Sequence, residues 1–154
     1  MVILLTVPHL GLRSGIRNKI TFTITVEEQL LTLDRLTYYH AVSSQTDDTP
    51  LLTASLKTID TVKVKSGEIR WLAVSQKIIK EKLLAYGDTV KLVTGDSLVD
   101  GNWIVNDCMN KRWDNHGTGY CADLLTDPGN KRLKGLWKNV QIIKYKKLII
   151  NILD

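Results

Sequence analysis

Two aspartates bracket the stretch of this chain best suited to chemistry, "VNDCMNKRWDNHGTGYCADLL" (Val105–Leu125). Asp107 closes the apolar run that begins at Trp103, and Asp123 opens onto Leu124 and Leu125. The segment between them is polar and contains glycine. Each aspartate has an ordinary reading, Asp107 as a strand-end turn residue and Asp123 as a buried, hydrogen-bonded one. Together they read as an acid site on neighbouring strands. An unperturbed aspartic acid has a pKa of about 3.9 and is ionised at neutral pH. A second carboxylate nearby, or burial among apolar neighbours, raises that value. A carboxyl that keeps its proton can act as general acid and, once emptied, as general base.

The other reactive residue types are sparse. Cys108 and Cys121 flank the same loop. They read either as a disulfide, if their strands pair, or as two buried thiols, and two cysteines do not fix a compartment. His9, His40 and His116 are scattered without metal-ligand spacing, so neither a metal nor a cofactor is expected. His116 beside Gly117 reads as a loop residue.

These residues need a scaffold. The chain has 154 residues, which suits one domain with a core. With 44% hydrophobic and 24% charged residues the composition is that of an ordinary globular protein. No apolar run is long enough to span a bilayer. The start, "MVILLTVPHLGLRSG", is apolar but lacks a preceding basic residue and a clear cleavage site, so it reads as a poor signal peptide. The net charge of +5 favours anionic partners. It is spread out, however, with its densest clusters at Asn130–Lys138 and Lys144–Lys147, and reads first as a solvated face. No nucleic-acid reading element is present, which makes that partner the least favoured. Nothing in the pattern specifies an oligomeric state.

Strand signals dominate. "KITFTITV" (Lys19–Val26) alternates apolar and polar residues, and Thr37–Tyr39 continue the strand preference. "SSQTDDTP" (Ser43–Pro50) is a loop, "LLTAS" (Leu51–Ser55) a short extended piece, and a polar connection follows to Glu68. Ile69–Ser75 reads as a buried strand and Gln76–Asp88 as a helix stopped near Gly87. Thr89–Val93 and Trp103–Asp107 read as strands of a hairpin signalled by Asp100-Gly101. Cys121–Thr126 is a further strand. "DPGNKRLKGL" (Asp127–Leu136) suggests a short helix capped by Asp127, and Trp137 onward gives one or two closing strands. Many short strands with frequent turns point to an all-β barrel or sandwich.

The order of these pieces resembles a known family. "TYYH" (Thr37–His40), "TAS" (Thr53–Ser55), "AVS" (Ala73–Ser75), "YGDTVKL" (Tyr86–Leu92), "DGNWIVNDCMNKRW" (Asp100–Trp113) and "ADLL" (Ala122–Leu125) follow the sequence of motifs in rare-lipoprotein-A-like and three-aspartate barrels. The catalytic barrel of membrane-bound lytic transglycosylase A is related to these. The resemblance covers roughly residues 35–145 and implies a six-stranded double-psi β-barrel with one or two short helices. Residues 1–34 then form an N-terminal extension or extra edge strands, and 146–154 a C-terminal strand or tail.

The resemblance also implies a function. It makes the chain a peptidoglycan-cleaving, lytic transglycosylase-like protein of the cell envelope or of a phage, with peptidoglycan or a related glycan as partner. Carried over, Asp123 is the general acid and Asp107 its support on an adjacent strand. Tyr38 and Tyr39 are candidates for a sugar-stacking wall, Trp113 in the polar loop for a further substrate contact, Thr53 and Ser55 to bond hydroxyls, and Lys111 with Arg112 to meet an anionic glycan. Core packing, turn stabilisation and solvation are the ordinary roles for these residues. One departure is sharp, because the family's first aspartate follows "AV" and here that place is Ser75. This sets a second reading beside the first, a non-catalytic barrel module that binds cell-wall glycan or protein.

Overall fold

The computed structural model describes residues 2–7, 20–111, 119–130, 133 and 135–153. Its strands are β1 (Val2–Val7), β2 (Ile20–Tyr39), β3 (Trp71–Val74), β4 (Thr89–Val93), β5 (Gly101–Cys108), β6 (Cys121–Leu125) and β7 (Trp137–Leu153). Two short helices, α1 (Thr61–Ser66) and α2 (Gln76–Lys80), interrupt them. All seven strands belong to one mixed sheet in the order β1-β2-β6-β3-β5-β4-β7, and β2 also pairs with β7. Six strands therefore follow one another in a ring of hydrogen-bonded neighbours, with β1 appended to β2. Two pairings are parallel, β2 with β6 and β3 with β5. The chain divides into a smaller unit, Met1–Gln29 with Tyr145–Asp154, and a larger one, Leu30–Lys144.

Period-two alternation builds the core of the larger unit. Leu72 and Val74 of β3, Val90 and Leu92 of β4, and Ala122 and Leu124 of β6 are buried in one cluster. Trp103 and Val105 of β5, with Val140 and Ile142 of β7, join them. Each pair is separated by two residues, so both side chains leave the same face of their strand. A second, smaller cluster contains Tyr39, Ala73, Met109, Cys121 and Leu125. Ala73, Cys121 and Leu125 belong to the opposite parity of β3 and β6, and the candidate site lies on that face.

A bulge decides what β5 presents. Leu72 pairs with Val105, but the next residue, Ala73, pairs with Asp107. Asn106 is thus the extra residue, a change that re-aims the chain beyond it. Val105 and Asp107 are two apart, and an unbroken strand would put both on the core face. The inserted Asn106 sends Asp107 to the other one. Asn106 itself is fully buried, and neither polar atom of its amide has a hydrogen-bond partner.

Three local expectations fail. The connection after Leu51 is turn-rich rather than extended, with a single bridge between Leu52 and Thr58. It also contains α1, which buries no residue and so carries no apolar stripe to announce it. Asp60 caps this helix by accepting from the Val62 and Lys63 amides at 3.0 and 3.1 Å. The helix expected over Gln76–Asp88 ends at Lys80. Lys82 sits in the left-handed region at φ 57°, which breaks the helical ladder. Finally, Asp127 caps a turn and not a helix: its Oδ2 accepts from Gly129 N at 2.8 Å and its carbonyl from Asn130 N at 3.0 Å. The β4–β5 hairpin is as expected, with Gly101 at φ +116°, where a side chain would be strained.

Candidate functional site

Asp107 and Asp123 meet one cleft, but their strands are not neighbours. β3 runs between β5 and β6, and Ala73 is the cross-strand partner of both aspartates. The expectation of adjacent strands is therefore corrected by one strand. Two strand spacings put the aspartate backbones about 10 Å apart. Between them stands only the methyl group of Ala73, which packs in the same cluster as the Tyr39 ring.

Tyr39 spans the gap. Its hydroxyl donates to Asp107 Oδ2 at 2.8 Å. Burial, then the charge of Asp107 and its hydrogen bond, then the charge of Asp123, hold the Tyr39 phenol well above its ordinary range. The hydroxyl thus feels both carboxylates and keeps its proton. Asp107 Oδ1 accepts from the backbone amides of Ala54 at 2.9 Å and Cys108 at 2.8 Å. Three donors from three parts of the chain fix this carboxylate.

Asp123 is held differently. Thr37, its partner on β2, donates its hydroxyl to Asp123 Oδ1. Burial pushes the Asp123 carboxyl above the usual carboxylate range, and the Thr37 bond and the charge of Arg35 only partly oppose this. Burial is the cause that leads, and a second carboxylate is not needed to raise it.

The cleft has two lobes that share Tyr39, Gln45, Met109 and Asp123. The larger, of about 570 Å³, runs from Asp123 past Asp107 to Asp47 and Lys111. The smaller, of about 300 Å³, is lined by Arg35, Thr37, Tyr38 and Ser44. The loop Ser43–Pro50 supplies one wall of the cleft through Gln45, Thr46, Asp47, Thr49 and Pro50.

The other expected residues fare unevenly. Tyr39 is buried at 9% exposure, so it offers a hydroxyl to Asp107 and not a stacking face, whereas Tyr38 is exposed at 36% and lines the smaller lobe. Thr53 is buried; its Oγ1 accepts from Lys57 N at 3.1 Å and lies 3.0 Å from Ser55 Oγ. These two hydroxyls close the turn that aims Ala54 N at Asp107. Ser55 N in addition donates to the Asn106 carbonyl at 3.2 Å, tying that turn to the bulge. Lys111 is exposed at the lip of the larger lobe. Arg112, Trp113 and His116 lie outside the described residues. Ser75 is buried at the start of α2, and its hydroxyl has no hydrogen-bond partner.

Sequence reasoning did not single out Arg35, Thr37 or Gln45. Arg35 and Thr37 are polar residues of β2, in a stretch whose sequence signals are mixed, and Gln45 lies in the Ser43–Pro50 loop. Cys108 and Cys121 form no disulfide. Cys108 pairs with Val74, while Cys121 is one residue out of step with Ala122, the other partner of Val74, so the two point to opposite faces. Among the described residues no cluster of three metal-ligating side chains occurs, and no helix is long and apolar enough to cross a membrane. In the basic C-terminal stretch Lys144 pairs with Asp88 at 2.5 Å.

No protein-family model matches the chain, and no curated protein matches it.

Proposed function

We propose that this chain is a glycan-cleaving double-psi β-barrel of the lytic transglycosylase kind, acting on peptidoglycan or a closely related polymer. The observation that carries the reading is Asp123, a carboxyl raised by burial on the shared wall of a two-lobed cleft. A chain lying through both lobes passes this group. The ordered motifs and the two parallel pairs within the six-stranded ring support the barrel assignment.

Protonated Asp123 donates to the glycosidic oxygen as the bond to C1 breaks. The sugar's own 6-hydroxyl then closes on C1 and returns its proton to Asp123, so one residue acts as acid and then as base. No water is consumed and an anhydro sugar results. This differs from hydrolases, which need a second carboxylate as base or nucleophile. Asp107, fixed by Tyr39, Ala54 and Cys108, is the supporting charge.

The test is to incubate the protein and an Asp123→Asn variant with purified peptidoglycan and to analyse soluble products by mass spectrometry. Anhydro-muropeptides from the wild type alone are expected. No product from folded wild type overturns the catalytic reading. It then favours the second one, a wall-binding module, to which Ser75 gives specific support. At the place of the family's first carboxylate it offers only a buried hydroxyl. Retention on purified walls without turnover is the result that module predicts.

A further inference from the structure

A backbone conformation marks one residue of the larger lobe. Among the described residues, Leu56, Lys82 and Asn139 have positive φ without being glycine. Asparagine enters that region readily, and Lys82 is polar and exposed. Leu56, at φ 63°, is a bulky apolar residue in a conformation that its side chain disfavours. The fold gains little in return, because that side chain is 79% exposed. Leu56 lines the larger lobe together with Pro50 and Leu52, and Leu52 is exposed as well. We propose that Leu56 is a substrate-contact residue, whose aliphatic side chain receives the apolar face of a sugar ring of the glycan in the larger lobe. The proposal rests on the glycan-cleaving reading above and names a contact for the sugar beside Asp107.

The turn that carries Leu56 is held from several sides. Leu56 N donates to the Thr53 carbonyl at 2.9 Å, and Thr53 N to the Lys57 carbonyl at 3.0 Å. Lys57 N donates to Thr53 Oγ1 at 3.1 Å. Ser55 N reaches the Asn106 carbonyl at 3.2 Å, and Ala54 N the Asp107 carboxylate at 2.9 Å. One turn therefore fixes Asp107 and presents Leu56, which keeps the apolar contact and the supporting carboxylate in register. Bonds of this kind let a disfavoured conformation persist, and residues held so cluster at ligand sites. The composition of the lobe selects the occupant. A pyranose has apolar C–H faces edged by hydroxyls. Leu56, Leu52 and Pro50 offer an aliphatic wall to the face, while Asp107 and Asp47 offer acceptors to the edge. Thr49 donates its amide and its hydroxyl to Asp47 Oδ1 at 2.9 and 3.0 Å, which holds that carboxyl below the usual range and ionised at neutral pH.

The test measures melting and calorimetric binding in the full chain carrying Asp123→Asn, which prevents turnover. The probes are a peptide-free tetrasaccharide of wall glycan and the same tetrasaccharide bearing its peptides. Leu56→Gly and Leu56→Asn both accept positive φ, so neither should melt below the parent. Both should nonetheless bind the peptide-free sugar about fivefold more weakly, because the apolar contact is gone. Leu56→Met, which keeps an apolar side chain of similar volume, should hold affinity within about twofold. Stability and affinity moving apart is the signature of a residue kept for its ligand. Unchanged affinity in Leu56→Gly and Leu56→Asn overturns the contact while leaving the glycan reading intact. A lower melting temperature in both variants makes Leu56 a part of the fold and overturns it too. A loss of affinity confined to the peptide-bearing probe overturns the sugar ring as occupant and transfers the contact to the peptide. Absence of binding of both probes by the parent overturns the glycan reading itself.

Discussion

Tyr39→Phe separates a positioning hydroxyl from a sugar-stacking ring. The substitution removes one oxygen and leaves the buried ring, so packing is preserved. What is lost is the 2.8 Å bond to Asp107. A hydrogen bond to a charged group contributes about 1.5–3 kcal/mol. Asp107 keeps the Ala54 and Cys108 amides and is only half-buried, so the lower end applies, about 1.5 kcal/mol. In a chain of this size that corresponds to a fall in Tm of about 3–6 °C. Urea denaturation at neutral pH measures it, with an unchanged slope expected because the surface exposed on unfolding is unchanged. A double-mutant cycle with Asp107→Ala should give a coupling of about 1–2 kcal/mol, because each single change strands the other's group. The raised phenol adds a pH signature. Its stabilising contribution is complete below the ordinary tyrosine pKa of about 10 and is lost as the pH rises through the elevated folded value. The wild type should therefore lose stability above that pH more steeply than Tyr39→Phe. A cost below about 0.5 kcal/mol with an additive cycle would refute the reasoning.

Two further outcomes follow from the same geometry. Asp123 is raised in the folded chain, so its favourable contribution is complete below the ordinary carboxylate value and is lost as the pH rises through the folded one. Asp123→Asn, whose amide oxygen can still accept from Thr37, should thus melt higher than the wild type at neutral pH and converge with it near pH 3. A lower melting temperature for the variant at neutral pH would sink this. Deleting Asn106 makes Val105 and Asp107 neighbours in a regular strand, so Ala73 still faces Asp107 and the carboxylate keeps its side; the variant should retain the Tyr39–Asp107 coupling of about 1–2 kcal/mol. A double-mutant cycle in the deletion background, read by urea unfolding, checks it, and a coupling near zero would show that Asn106 is not simply the unmatched residue of the β3–β5 ladder.

Strand content was readable because alternation is a property of the chain itself. Thr89–Val93 buries Val90 and Leu92 and turns its other three residues outward, and such a pattern has one sensible placement. Helix α1 was invisible for the converse reason, since a helix that buries nothing leaves no period to find. Asp107 and Asp123 stood out as candidates because each is a carboxylate joined to an apolar run. Their partners did not. Arg35 and Thr37 look like any polar residues on a strand until β6 lies beside them in register.

The amino-acid order thus determined that the chain would form paired strands, that apolar residues two apart would share a buried face, and that two carboxylates would adjoin apolar strand residues. It did so because periodicity and turn chemistry act over a few residues. Which carboxylate faces which cleft depended on cross-strand register, a relation between segments distant in sequence. The unmatched Asn106 turned Asp107 away from the core, β3 came between the two acids, and Ala73 left room for Tyr39 to join them. A one-residue slip in any of these pairings would point the same side chains to the opposite face, because strands alternate with period two. Tertiary pairing therefore made a site of these residues, and local preference alone could not.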